Sequence, residues 1–438
     1  MTGLEVGLIS VVAILVLIYA GLYVPVALGL VSFFSVWILR DSIEAPIYLL
    51  TLAASNSLED YIFGVIPLFV LMGLLVSECE LGKDIYEVAH YALRKLRGGL
   101  GVATVAANAA FAAITGVSIA SAAVFTRISV PEMTRFGYQP RFAVGVVAGS
   151  SVLGMLIPPS VMLIIYALIT EQSVADLFTA GIIPGVLLAL AYAVAIVAMA
   201  TFFPKYVGGS DSPDHKAVRA RIPAATIARK ISPLVVLVVV VLGGIYGGFF
   251  TPTEAGAVGA LGALVTALLK RKLGRSALWR VLVETGHIAA SILLLIVAAT
   301  MYSRMLALSG LPNTLGEWIV QADMTLYGIL AIYVVILILM GTILDTTSII
   351  LIMVPLFLPI VAPYNVDLVW FGIVTIVGAE IGLLTPPLGI ACYVIKTTLA
   401  DQDISLADIF AGAAPFAVIM LVVLILLIAF PALSLILV

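Results

Sequence analysis

Two groups of small, hydroxylated and acidic residues interrupt otherwise apolar parts of the chain. They read TGVSIAS at 115–121 and GTILDTTS at 341–348, and two further stretches with paired prolines read GMLIPPS at 154–160 and GLLTPPL at 382–388. Proline lacks a backbone N–H and blocks the preceding helical turn, so each pair frees carbonyl oxygens within an apolar run. Such carbonyls, together with hydroxyls, suit a cation such as Na⁺, and half-helix N-termini suit a carboxylate.

The elements that position these groups are membrane helices. The chain has 438 residues, of which 63% are hydrophobic and 10% charged, whereas soluble domains are about half apolar and about a quarter charged. This composition predicts an all-α polytopic membrane protein, in which a span needs about 20 mostly apolar residues. The predicted spans are 4–23, 25–39, 61–78, 138–169, 177–203, 231–250, 253–270, 281–303, 368–396 and 406–436.

Two apolar segments, 98–130 and 325–361, are long and are interrupted near the middle by the polar groups. Lys and Arg concentrate in cytoplasmic loops. Arginines flank the first segment on both sides, whereas the second lies in a stretch, 305–395, without Lys or Arg. We therefore predict two re-entrant hairpins that enter from opposite faces. All Lys and Arg except Arg40 and Arg304 then lie on the cytoplasmic side, and both termini lie outside.

An internal duplication relates the two halves. Pro25 matches Pro252, Pro131 matches Pro359, Pro158 matches Pro386 and Pro184 matches Pro415, always 227 to 231 positions later. Each half has five predicted spans, an odd number, so the halves must be inverted relative to each other, as in many secondary carriers. We predict repeats at 1–205 and 231–438, joined by a cytoplasmic linker at 206–230. Each contains one hairpin and one broken helix (138–169 and 368–396).

Seven ordered motifs give the chain a family resemblance. They lie at 66–69, 131–138, 153–166, 178–185, 248–255, 341–345 and 381–389. In these motifs the chain resembles the large membrane subunit of tripartite ATP-independent periplasmic (TRAP) transporters, over essentially its whole length. The resemblance implies Na⁺-coupled import of an organic anion by an elevator mechanism in a bacterial or archaeal inner membrane. It also implies two partners, a small four-helix membrane subunit and a soluble periplasmic binding protein.

The resemblance and the chemistry together predict two Na⁺ sites, one at each hairpin tip and its broken helix. The predicted Na⁺ ligands are Thr115, Gly116, Ser118, Gly154, Pro158, Gly341, Asp345, Thr346, Gly382 and Thr385. The predicted substrate-binding residues are Ser118, Ser121, Pro159, Thr346 and Thr385. For each hydroxyl, the alternative is an ordinary hydrogen bond between helices.

Three ionisable residues within apolar segments leave their roles open. Asp345 is expected either to coordinate Na⁺ or order the tip, or instead to cap the second helix of the hairpin. Glu380, one turn before the second break, either lines a cavity or pairs with another group. We interpret His287, alone on an apolar helix, as a packing residue rather than as the alternative, a proton carrier.

Other functional classes lack sequence support. A membrane-embedded enzyme would need a catalytic or ligand set, which the three scattered histidines do not supply, and an ATP-driven pump would need a GxxxxGK[ST] loop. The basic clusters near 94–97 and 270–275 indicate topology and lipid contacts rather than nucleic-acid binding. The open alternative is a Na⁺/anion symporter of similar architecture that works without a binding protein.

Overall fold

The computed structural model describes residues 1–59, 61–209, 223–399 and 404–438. Over these ranges the protein is helical, and its β-structure is an isolated bridge between Tyr138 and Gly208. The first helices are α1 (Gly3–Tyr19), α2 (Val24–Arg40), α3 (Glu44–Glu59), α4 (Val65–Glu78), α5 (Leu81–Leu93), α6 (Gly99–Thr115), α7 (Ser118–Arg135), α8 (Pro140–Ser151), α9 (Leu153–Leu156), α10 (Val161–Thr170), α11 (Val174–Phe202) and α12 (Pro204–Val207). The others are α13 (Ala224–Tyr246), α14 (Pro252–Leu269), α15 (Arg275–Ser309), α16 (Leu311–Gln321), α17 (Leu326–Gly341), α18 (Thr346–Val361), α19 (Leu368–Leu383), α20 (Ile390–Thr398), α21 (Leu406–Ala429) and α22 (Ala432–Leu435).

Six of the described helices are long and apolar enough to cross a membrane: α11, α13, α14, α15, α21 and α18 with its extension to Tyr364. Two more candidates are helix pairs bent at a break, α4 with α5 by 64° and α8–α9 with α10 by 41°. The apolar helices α1, α2, α6, α17 and α19 are shorter, at 16 or 17 residues each. By length and composition, six to eight of the described elements could therefore cross a membrane, and one of them, α18, belongs to a predicted hairpin rather than to the ten predicted spans.

Helices α3, α5 and α16 lie between the predicted spans, and the apolar pattern does not reveal them. Helix α5 buries Leu81, Ile85 and Val88, spaced at the period of an amphipathic helix, so its mean apolarity is low. The predicted linker 206–230 is partly helical, because α13 begins at Ala224. Its residues 210–222 lie outside the described ranges.

Both predicted hairpins are present as helix–turn–helix units. Helices α6 and α7 pack together and are joined at Gly116, which has the left-handed φ of 61°. Helix α7 continues through Pro131 to Arg135, so this hairpin is longer than the predicted 98–130. Helices α17 and α18 also pack together and agree closely with the predicted 325–361.

Both predicted broken helices are interrupted at their proline pairs. The first break separates α9 from α10, where Ile157 and Ser160 are extended and Ser160 caps α10. The second separates α19 from α20, which begins after Gly389. The bonds Pro158–Pro159 and Pro386–Pro387 are both cis. The first proline pair is buried and the second is exposed.

Helices α8, α18 and α19 lie in the interior. Every residue of α19 from Val369 to Leu383 is buried, as is α8 from Phe142 to Ser151. In an 18-residue apolar stretch of α18 and its extension, 72% of the residues are buried, against 17% in α13, so α13 lies at the periphery. Contacts cross between the halves, because α4 packs along α14 and α2 along α15.

A group of ion pairs joins the elbow between α4 and α5 to the second half of the chain. Arg280 contacts Glu78 at 2.7 Å and Lys272 contacts Glu80 at 2.8 Å, while both Lys230 and Lys270 contact Asp84. Lys230 also pairs with Glu87. The hydrogen bond from Lys272 lowers the pKa of the Glu80 carboxyl below its ordinary value. The elbow is thus attached to α13, to the end of α14 and to the start of α15.

Candidate functional site

The tip of the first hairpin lies directly against the first break. The Gly116 carbonyl oxygen accepts a hydrogen bond from the Val161 backbone N–H at 3.2 Å. A Cβ on Gly116 would lie 2.5 Å from the Pro159 carbonyl oxygen, and one on Gly154 would lie 3.1 Å from the Val117 carbonyl carbon. Because neither position has room for a side chain, glycine at 116 and 154 permits this close approach.

Hydroxyl groups at this first tip have few partners within the protein. Thr115 donates to the Phe111 carbonyl oxygen of its own helix at 3.1 Å. Ser118 and Ser121 are buried, and their Oγ atoms have no hydrogen-bond partner among the described residues. Most buried hydroxyls in proteins have a hydrogen-bond partner. Because these two have none among the described residues, their oxygens are available to a ligand.

The second tip contacts the second break in a parallel way. The Thr342 carbonyl oxygen accepts hydrogen bonds from the N–H groups of Leu388 at 3.1 Å and Gly389 at 3.2 Å. A Cβ on Gly341 would lie 2.8 Å from the Gly382 Cα, so the backbones of α17 and α19 touch. Thr385 donates to the Gly382 carbonyl oxygen at 2.9 Å and is therefore partly committed to its own turn.

Asp345 is the N-cap of α18. One of its carboxylate oxygens accepts from the Ser348 backbone N–H at 3.2 Å, and the other accepts from the Ser348 hydroxyl. The capping role, one of the two alternatives that the sequence left open, is therefore present. Capping does not exclude contact with a ligand, because Asp345 also lines two cavities.

Glu380 forms a hydrogen bond with the second tip. Its Oε1 accepts from the Thr346 hydroxyl at 2.6 Å, and the residue is only 1% exposed. Its Oε2 has no hydrogen-bond partner among the described residues. Of the two roles that the sequence allowed, pairing with another group is the one observed. Glu380 does not line the cavity of about 580 Å³ that both tips border.

Residues of both tips line one cavity of about 580 Å³. Thr115 contributes from the first tip, Asp345 and Thr346 from the second, and Met155 and Met162 from either side of the first break. The other predicted site residues do not line this cavity: Gly116, Ser118, Ser121, Gly154, Pro158, Pro159, Gly341, Gly382 and Thr385. A smaller cavity of about 200 Å³ shares Asp345 with the large one.

Helix α15 supplies a polar face that sequence reasoning missed. Glu284, His287 and Ser291 line the cavity, together with Ile288 and Ile292 of the same helix. Our interpretation of His287 as a packing residue is wrong, because its side chain is exposed to this cavity. The spacing of three and four residues was the available signal, since it places these residues on one helical face.

The fold and the site together define a multi-pass helical membrane protein with interrupted helices beside a cavity that residues of both halves line, as in many secondary carriers. Its fold is similar to the crystal structure of the YdaH transporter of Alcanivorax borkumensis, with a TM-score of 0.66 and 13% identity, covering 94% of this chain and 98% of that one. The sequence comparison is more specific. The chain belongs to the DctM-component family of tripartite ATP-independent periplasmic transporters, whose family model matches residues 11–433.

Individual relatives agree with this assignment. The chain is 34% identical to the C4-dicarboxylate TRAP transporter large permease protein DctM of Pseudomonas aeruginosa, covering 86% of each chain. It is 30% identical to the sialic acid TRAP transporter large permease protein SiaM of Vibrio cholerae, covering 87% of each. The predicted resemblance to the large TRAP subunit is therefore confirmed, and the relatives are transporters rather than enzymes.

Proposed function

We propose that this protein imports a small organic anion with Na⁺, after a periplasmic binding protein has delivered the anion. The observation that carries the proposal is the cavity lined by both hairpin tips. Relatives are named for C4-dicarboxylate, sialic acid and isethionate transport, and all three substrates are organic anions. The proposed substrate class is therefore a small organic anion, for example a carboxylate such as a dicarboxylate, a sialic or sugar acid, or a keto acid.

The residues at the first tip fit a Na⁺ ion. The unpartnered Ser118 Oγ, the Thr115 hydroxyl and the carbonyls from Gly154 to Pro158 supply oxygens without fixed charge. Broken helices in carriers present such carbonyls to Na⁺. When bound, the ion would supply positive charge beside an anionic substrate. The first Na⁺ site thus lies between 115–118 and 154–158.

A second Na⁺ site at the other tip is supported by the parallel contacts. The backbones of Gly341 and Gly382 touch there, and Thr346 lies at the start of α18. Helices α17 and α19 both end at this point, and helix C-termini favour cations. The second site therefore lies between 341–346 and 382–386. Substrate would contact the hydroxyls that border the cavity.

The mechanism we propose is an elevator built from two inverted repeats, 1–205 and 231–438. The hairpins and broken helices form the mobile transport domain, and segments 1–39 and 231–270 form the scaffold. Helix α14 corresponds to α2 at the duplication offset. Each of these two helices packs against a helix of the other half, α14 against α4 and α2 against α15, and this reciprocal packing supports the repeat. The tips order when Na⁺ binds, the anion binds next, and the transport domain then slides across.

The orientation follows from charge. Lys230, Lys270, Lys272 and Arg280, which hold the elbow between α4 and α5, belong to the Lys- and Arg-rich side. That side faces the cytoplasm, and both termini then lie outside the inner membrane.

The partners follow from family membership. We infer a small four-helix membrane subunit and a soluble periplasmic binding protein. Two relatives are named as single permease proteins, DctMQ and SiaT, and the chain covers only 57% and 59% of their lengths. This difference leaves room for a fused second subunit. The large permeases DctM and SiaM, by contrast, match over most of their lengths.

Reconstitution tests this function. Proteoliposomes that contain both membrane subunits should take up labelled succinate or sialic acid, whichever the cognate binding protein binds, only with that protein present and Na⁺ outside. Equal uptake after K⁺ replaces Na⁺ would refute the coupling. Full uptake without the binding protein would instead favour the self-sufficient symporter.

A further inference from the structure

Glu380 is a buried carboxyl group without a counter-charge. The residue is 1% exposed and lies on α19, where every residue from Val369 to Leu383 is buried. Its Oε1 accepts a hydrogen bond from the Thr346 hydroxyl, and its Oε2 has no hydrogen-bond partner in the described ranges. Within those ranges it also forms no ion pair with Lys, Arg or His. A carboxylate in such a place requires a compensating cation or a proton.

The surroundings of Glu380 favour a cation. Helix α17 ends at Gly341 and α19 ends at Leu383, and the contact between Gly341 and Gly382 brings these two ends together. The C-terminal ends of helices carry partial negative charge and attract cations. Two helix C-termini therefore meet at the second tip, and the Thr346 hydroxyl links Glu380 to the same tip.

The other carboxylate at this tip is already engaged. Both oxygens of Asp345 accept hydrogen bonds from Ser348, so Asp345 holds the first turn of α18. Thr346, the next residue, links that turn to Glu380. Of the two acids, Glu380 is therefore the one with an uncommitted oxygen.

The first half of the chain has no equivalent charge. At the duplication offset that relates the two proline pairs, Val152 occupies the position that matches Glu380. The first tip offers only hydroxyls and carbonyls, among them the unpartnered Ser118 Oγ. The two predicted cation sites therefore differ in charge.

We propose that Glu380 supplies the fixed negative charge of the second Na⁺ site, with the Thr346 hydroxyl holding the carboxylate in place. This inference rests on the proposed Na⁺ coupling and deepens it. The second site is then anionic and the first is neutral. Neutralising Glu380 removes tight Na⁺ binding at one site only.

Binding of radioactive ²²Na⁺ to the purified full chain in detergent tests the proposal without any transport measurement. The wild type should bind two Na⁺. Glu380→Gln keeps an acceptor oxygen for Thr346 but removes the charge, so it should bind one Na⁺, with the half-saturation of the lost site raised at least tenfold. Glu317→Gln, which removes an exposed acid of α16, is the charge-matched control and should bind two Na⁺.

A conservative variant and a stability measurement separate this role from a folding defect. Glu380→Asp keeps the charge and should bind two Na⁺, with affinity between that of the wild type and that of Glu380→Gln. All variants should unfold at similar temperatures in KCl, and NaCl should stabilise Glu380→Gln least. Wild-type Na⁺ binding by Glu380→Gln, as expected if the carboxyl carries a proton, overturns the proposal alone. Absence of Na⁺ binding by the wild type overturns the proposed coupling as well.

Discussion

Replacing Gly116 by alanine tests the contact between the first tip and the first break. Gly116 has a φ of 61°, and a Cβ there would lie 2.5 Å from the Pro159 carbonyl oxygen. Since ordinary contact begins at 3.4 Å, the tip and the break would have to separate by most of an ångström. The hydrogen bond from Val161 N–H to Gly116, now 3.2 Å long, would then weaken or break.

The magnitude follows from three contributions. A left-handed conformation costs an L-residue about 1–2 kcal/mol. Overpacking costs about 1–3 kcal/mol, and a lost hydrogen bond costs about 1 kcal/mol. We therefore expect Gly116→Ala to lower the free energy of unfolding by about 3–6 kcal/mol.

Gly310 provides a matched control. It follows α15 as the C-cap with a φ of 71°, and a Cβ there would have no atom within 4 Å. Gly310→Ala should therefore lose only the conformational contribution of about 1–2 kcal/mol. The difference between the two variants isolates the contact of the tip with the break.

The assay is unfolding of the purified protein in mixed micelles, followed by initial uptake rates in proteoliposomes. Gly116→Ala should unfold more easily than Gly310→Ala and should transport at least tenfold more slowly. Equal losses of stability and equal uptake rates in the two variants would refute the account of the tip.

Three further predictions concern single side chains. Ser118→Ala should leave stability in KCl unchanged, because the hydroxyl has no hydrogen-bond partner among the described residues. It should raise the half-maximal Na⁺ concentration for uptake roughly tenfold, equivalent to about 1.4 kcal/mol. An unchanged Na⁺ dependence would show that Ser118 is not part of the Na⁺ site. Asp345→Ala should cost about 1 kcal/mol through the lost cap and should also weaken apparent Na⁺ affinity, so unaltered Na⁺ dependence would limit Asp345 to capping. His287→Ala should slow anion uptake, whereas Thr285→Val, on the buried side of α15, should not; equal rates in these two variants would exclude His287 from the pathway.

The sequence predicts the helical hairpins and broken helices well, because proline pairs and polar interruptions act locally. It misses α5 because a charged face lowers the apolarity of that helix. It also misses α3, because polar residues from Thr51 to Glu59 interrupt the apolar pattern in the second half of that helix. Amphipathic and polar helices lack the continuous apolar signal of a membrane span.

The site is harder to predict, because it depends on contacts between distant segments. The sequence identifies Thr115 and Asp345 as site residues, but it does not show that they line the same cavity. The hydrogen bond between Thr346 and Glu380 joins residues 34 positions apart. The polar face of α15 is not evident from His287 alone, because it depends on the helical spacing of Glu284, His287 and Ser291.

The central claim is that a Na⁺ gradient drives anion import through this subunit. The most direct measurement is accumulation of the labelled anion in proteoliposomes that contain both membrane subunits, with the binding protein outside and an inward Na⁺ gradient imposed. The account predicts accumulation above the external concentration, which a Na⁺ ionophore abolishes. Accumulation that persists after the Na⁺ gradient has been collapsed would contradict it.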